Sequence, residues 1–76
     1  MSETLASCCA DHGVTLNAEH VEAVGKLFDG ALLKKLLALV KQFGPQLAPE
    51  IPAILADLAE GNYLAAFLLI ISALSN

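Results

Sequence analysis

Four side chains have types and spacing that suit soft-metal binding or nucleophilic chemistry: Cys8, Cys9, His12 and His20. Cys8 and His12 are four residues apart, so a helix would place both on one face. A zinc site usually needs four ligands, however, and adjacent cysteines on a helix point about 100° apart. Closing such a site would also require His20 to fold back across Gly13. We therefore expect buried thiols and surface histidines, with no metal ligands, while palmitoylation of the cysteine pair stays open.

Catalysis by a cysteine–histidine pair would need an orienting group, an oxyanion stabiliser and a substrate cleft. A chain of 76 residues that is mostly aliphatic has little room for them. The acidic residues Glu50, Asp57 and Glu60 lie opposite an apolar stripe and are typical of a solvated helix face. We expect no enzymatic activity, no catalytic residues and no cofactor.

The composition indicates one small all-α domain over residues 1–76. Hydrophobic residues make up 57% of the chain and the mean hydropathy is +0.66, against about 45–50% apolar residues in typical soluble domains. Leu and Ala, which favour helices, supply most of the excess. Two adjacent cysteines cannot form an ordinary loop-closing disulfide, so we expect no disulfide framework.

The charge distribution argues against nucleic-acid binding. The net charge is −4, and the only strongly basic residues are four lysines, at positions 26, 34, 35 and 41. Without arginine or a basic patch, the chain lacks the electrostatic features that attract phosphate. Residues 1–15 contain no lysine and no continuous apolar core, so we expect no secretory signal and synthesis in the cytosol.

Capping residues predict the first two helices. Ser2 is a candidate N-cap for a helix that runs through Ala10 or Asp11 and stops at Gly13. Asn17 is a stronger N-cap and predicts a helix from Ala18 to about Asp29. The polar faces of residues 18–29 and 31–43 would not align on one straight helix, so we expect a break or kink at Asp29-Gly30.

The segment from Ala31 to Phe43 predicts a helix with an unusually wide apolar arc. The lysines and Gln42 occupy one narrow side, and large apolar residues fill the rest. Because one neighbour could not cover that arc, we expect part of it to form an interface with another molecule. The candidate interface residues are Leu32, Leu33, Leu36, Leu37, Val40 and Phe43.

Proline and glycine divide the remaining sequence. Gly44-Pro45 ends the preceding helix, and residues 45–49 predict a linker. Ile51, Ile54, Leu55 and Leu58 have the spacing of one helix face, which predicts a helix from about Glu50 to Glu60. Gly61-Asn62 then reads as a helix stop followed by an N-cap.

Residues 63–76 are apolar on every side and carry no charge. A helix of that kind must be buried by protein or lipid. We expect it to lie at the centre of a compact bundle of four to five short helices, or to face lipid. The residues concerned are Leu64, Phe67, Leu68, Ile70, Ile71 and Leu74.

Two functions fit this pattern. The first is a non-enzymatic structural or interaction subunit that packs by apolar helix faces into a homo-oligomer or a larger assembly, of which a minor component of a virus particle is one example. The partner would be another copy of the chain or a different protein. The alternative is a membrane-active or pore-forming helical protein of the bacteriocin, holin or delivery-pore kind. The segment 63–74 alone is shorter than the about 20 apolar residues of a spanning helix.

Overall fold

The computed structural model describes residues 4–75, which contain α-helices and no β-strand. The helices are α1 (Leu5–Asp11), α2 (Ala18–Leu27), α3 (Ala31–Phe43), α4 (Ile51–Ala59) and α5 (Tyr63–Leu74). They pack into one compact body with a radius of gyration of 11.2 Å. The all-α class is confirmed.

Local capping explains where the first two helices begin. The Thr4 hydroxyl oxygen accepts a hydrogen bond from the Ser7 amide at 3.0 Å and caps α1. The predicted cap Ser2 lies outside the described residues. Asn17 caps α2 as predicted, since its Oδ1 accepts from the Glu19 amide at 2.9 Å.

The chain breaks between α2 and α3 as predicted. α2 ends at Leu27, slightly before the expected Asp29. Asp29 and Gly30 both adopt left-handed backbone conformations, with φ of 53° and 75°, and the Gly30 amide donates to the Gly25 carbonyl at 2.9 Å. A left-handed glycine after the last turn is a common way to end a helix. The break lets α2 and α3 bury different faces.

The segment predicted as a linker is part of the core. Gly44–Gln46 and Ala48–Glu50 form two 3₁₀ turns, each with a proline near its start. Leu47 and Ala48, between the two prolines, are completely buried. The prolines stop the α-helix, but tertiary packing folds the connection against the bundle.

The centre of the bundle is α4, and the expectation that the C-terminal helix would lie there was wrong. The predicted stripe on α4 is confirmed, since Ile51, Ile54, Leu55 and Leu58 are all buried. α4 packs against both α2 and α5. α5 lies at the periphery: its buried residues are two alanines, and five of its large side chains are exposed.

Candidate interaction surface

The two cysteines lie on α1, His12 follows its last residue, and His20 lies on α2. Cys8 and Cys9 are free thiols buried on the inner side of α1. Burial raises the pKa of the Cys9 thiol, and the neighbouring Cys8 raises it further. The His12 ring lies against Gly44, where an added Cβ would be 3.1 Å from the imidazole Cε1. Within residues 4–75, no three His, Cys, Asp or Glu side chains gather in a way that could hold a metal ion.

The predicted interface on α3 is only partly available. Leu36 and Val40 are buried within the chain, so the expectation that they face a partner was wrong. The physical reason is that α3 packs against both α1 and α2, which together cover more of its wide apolar arc than one neighbour could. Leu32, Leu33, Leu37 and Phe43 are half-buried and pack against the core.

α5 has two opposite apolar sides that differ in exposure. Ala66 and Ala73, two turns apart, are its buried residues and face α4. Small side chains let two helices approach closely. Ile70 and Leu74, which we expected at the centre of the bundle or against lipid, are half-buried.

The outward side of α5 is a stripe of large apolar residues, which we name the outer stripe: Leu64, Phe67, Leu68 and Ile71. Their exposed fractions are 69%, 59%, 55% and 43%. The spacing i, i+3, i+4, i+7 confines them to an arc of about 100°. That spacing is typical of a helix face that packs against another element. Within residues 4–75, no other element covers this face of α5.

A groove runs beside the outer stripe, between α5 and the junction of α2 with α3. This α5 groove has a volume of about 260 Å³. Its lining residues are Phe28, Leu32, Leu58, Tyr63, Ala66, Phe67 and Ile70. Phe67 belongs to both features, so the groove begins at one edge of the outer stripe.

A second apolar groove of about 290 Å³ lies among α1, α2 and α3. This α1 groove contains Leu33 and Leu37, two of the predicted interface residues. Its other lining residues are Thr4, Leu5, Ala6, Val21 and Lys34. Lys34 is a charged residue at this groove, whereas the residues that line the α5 groove are all uncharged.

The sequence segment that contains the outer stripe has no charged residue. Residues 61–76 contain no Asp, Glu, Lys or Arg. The ion pair between Lys26 and Glu22, at 3.2 Å, lies on exposed positions of α2. The outer stripe therefore belongs to a helix that offers a partner an uncharged surface.

None of the helices described between residues 4 and 75 is long and apolar enough to cross a membrane. α5 has 12 residues, which corresponds to about 18 Å of helix against about 30 Å of bilayer hydrocarbon.

Comparison with known proteins gave no matching family model, no matching curated protein and no matching solved structure.

Proposed function

We propose that the protein is a non-enzymatic interaction subunit that binds a protein partner, either a second copy of the chain or a different protein, through the outer stripe of α5. One observation carries the proposal: Leu64, Phe67, Leu68 and Ile71 face solvent at helix-packing spacing, while alanines face the core. A helix that served only its own fold would direct the large side chains inward, because burial of each contributes about 1.5–3 kcal/mol.

The size of the exposed surface supports this proposal. Together with Tyr63, which is also exposed, the outer stripe displays roughly 500 Å² of apolar surface. The largest apolar patch on a typical monomer covers about 300–600 Å², and such patches are often functional. A larger assembly, such as a virus particle, is one setting for such a subunit.

The same surface supports a membrane-active function less well. Helices that lie on anionic membranes usually carry lysine or arginine on their polar face. Residues 61–76 have neither, and the chain has a net charge of −4. The exposed lysines Lys34 and Lys35 lie on α3 instead. A protein partner therefore fits the chemistry of α5 better than a lipid surface does.

Photo-crosslinking in the cells that produce the protein would test the proposal. A photoreactive phenylalanine derivative would replace Leu68 on the outer stripe. The matched control would carry the same derivative at Ala38, an exposed position on α3. We expect light-dependent adducts with a protein at position 68 and none at position 38, because the partner would cover α5 and not the polar side of α3.

The identity of the adducts separates the two functions. Mass spectrometry of a protein adduct confined to position 68 would support the interaction subunit. Adducts with lipid alone at position 68 would favour the membrane-active protein. Equal labelling at both positions, or no adduct at either, would contradict a specific surface on α5.

A further inference from the structure

We infer that the occupant of the outer stripe is a second copy of this chain, with the two α5 helices packed antiparallel about a two-fold axis. This inference rests on the proposed function and names its partner. In such a dimer the outer stripe of each copy enters the α5 groove of the other. Three properties of the surface carry the inference: its shape, its area and its charge.

Shape is the first argument. A two-fold contact uses the same patch on both copies, so the patch must be complementary to itself, and a projection beside a recess meets that requirement. The outer stripe projects, and the α5 groove lies directly beside it with Phe67 in common. A single two-fold rotation therefore buries both features on both copies. The aromatic walls, Phe28, Tyr63 and Phe67, are of the residue type that is enriched in the cores of interfaces.

Area is the second argument. A stable interface buries about 800 Å² on each partner. The outer stripe and Tyr63 alone supply roughly 500 Å², so a partner that touched only the stripe would make a small contact. Filling the α5 groove, which also contains Leu32 and Ile70, brings the buried area toward the required value. The resulting dimer lies at the small end of specific interfaces, with a dissociation constant on the order of micromolar.

Charge is the third argument. Both faces of the proposed contact are built from α5, which carries no ionised side chain, and from apolar residues of the groove. An apolar copy buries no unpaired charge, whereas a charged partner would lose hydration without gaining a counter-ion. Two copies with net charge −4 repel each other elsewhere, so salt should strengthen the dimer by screening.

Insertion of the outer stripe into the α1 groove of the next copy is the competing arrangement. The stripe and the α1 groove are separate surfaces, so a head-to-tail contact between them would continue from copy to copy into a ring or an open series larger than a dimer. It would also bring the Lys34 stem to the edge of an apolar contact. The two-fold arrangement closes with two copies and avoids both consequences.

Disulfide trapping of the purified full-length chain tests the geometry. A disulfide needs two Cα atoms within about 7 Å, and residues 64 and 71 are about 10.5 Å apart along a helix axis. In an antiparallel pair, residue 64 of one copy lies beside residue 71 of the other. Residue 67, which belongs to both the stripe and the groove, then lies near its own counterpart. The variants are therefore Leu64→Cys, Ile71→Cys and Phe67→Cys, treated with a mild oxidant.

We expect Phe67→Cys to form a covalent dimer alone. Leu64→Cys and Ile71→Cys should each stay largely uncoupled alone, and should form a mixed disulfide when combined. Ala38→Cys, exposed on α3, measures coupling by random collision, and the unsubstituted chain measures any contribution from the buried Cys8 and Cys9. Circular dichroism of each reduced variant verifies that the helices are retained.

Light scattering of the reduced, unsubstituted chain completes the test. We expect a concentration-dependent rise from 7.9 kDa to twice that mass and no further. Strong self-coupling of Leu64→Cys would overturn the antiparallel arrangement, and an open series of masses would favour the α1 groove. A monomer at every concentration would overturn the dimer. A foreign protein adduct at position 68 in cells would then leave the proposed function intact.

Discussion

Phe28 and Tyr63 meet edge to face, with ring centroids 5.7 Å apart and planes at 77°. The contact joins the end of α2 to the start of α5, and both rings line the α5 groove. It therefore fixes the first turn of α5 against the rest of the bundle and shapes one wall of the proposed interface. Stability and association should both depend on it.

Removing the Tyr63 ring should weaken the docking of α5. An aromatic pair contributes about 0.5–1.5 kcal/mol beyond the area it buries. We expect Tyr63→Ala to lower the free energy of unfolding by about 1 kcal/mol or more, measured by urea denaturation in dilute samples. Tyr63→Phe keeps the ring and is the matched control. Equal stability of Tyr63→Ala and Tyr63→Phe would show that the ring contact contributes little.

The central position of α4 predicts different costs for the same substitution on two helices. Leu55 is completely buried on α4, whereas Leu64 is the most exposed member of the outer stripe. Leu55→Ala should destabilise the fold by about 2–5 kcal/mol, and Leu64→Ala by about 0.5 kcal/mol or less. Unfolding must be followed at a concentration too low for dimerisation. Similar losses from both variants would mean that α5 is buried as deeply as α4.

Local sequence signals were sufficient to predict most of the helix boundaries. Asn17 placed the start of α2, and the mismatch of polar faces around Gly30 located the break before α3. The stripe on α4 was predictable because its apolar residues recur at the helical period and the acidic residues lie on the opposite side of the helix. Each of these signals depends on where polar and apolar residues stand within a short stretch of sequence.

The position of α5 could not be predicted in that way, because all its sides are apolar. The side that faces inward contains the buried Ala66 and Ala73, together with Leu69 and Ile70, which are half-buried against the core. Two alanines seven residues apart in a helix of leucine and isoleucine were the available signal. Burial of Leu47 and Val40 likewise depends on neighbours distant in sequence, which helix periodicity does not identify.

The break before α3 predicts opposite effects for two glycine-to-alanine substitutions. Gly30 has φ of 75°, which costs other residues about 1–2 kcal/mol. Gly25 lies within α2, where an added Cβ would meet Leu33 Cδ1 at an ordinary contact distance of 3.4 Å. Gly30→Ala should therefore destabilise by about 1–2 kcal/mol, and Gly25→Ala should stabilise by about 0.5–1 kcal/mol.

Thermal denaturation of the two glycine variants under one condition would measure both changes in stability, the expected loss and the expected gain. Each substitution adds the same methyl group, so hydrophobicity alone would give equal shifts. A gain in stability from Gly30→Ala would contradict the left-handed conformation at that position. A loss from Gly25→Ala would mean that the contact with Leu33 is too tight to accept the added carbon.

The buried Cys9 thiol predicts a loss of stability in alkali. Desolvation by burial raises its pKa above the ordinary value of 9.0, with a smaller contribution from Cys8. Above pH 9 the unfolded chain releases this proton more readily than the folded chain, so the free energy of unfolding should fall as pH rises through the folded pKa. Below pH 9 the contribution is fully present and should not vary with pH.

Urea denaturation between pH 7 and pH 11 would measure this dependence, and comparison with Cys9→Ala isolates the contribution of the Cys9 thiol. The alanine variant should be less stable at pH 7, because it leaves a small void beside the core, and its stability should decline less between pH 9 and pH 11. Parallel pH profiles for the two proteins would show that Cys9 ionises equally well in the folded and unfolded chains. That result would contradict its burial on the inner side of α1.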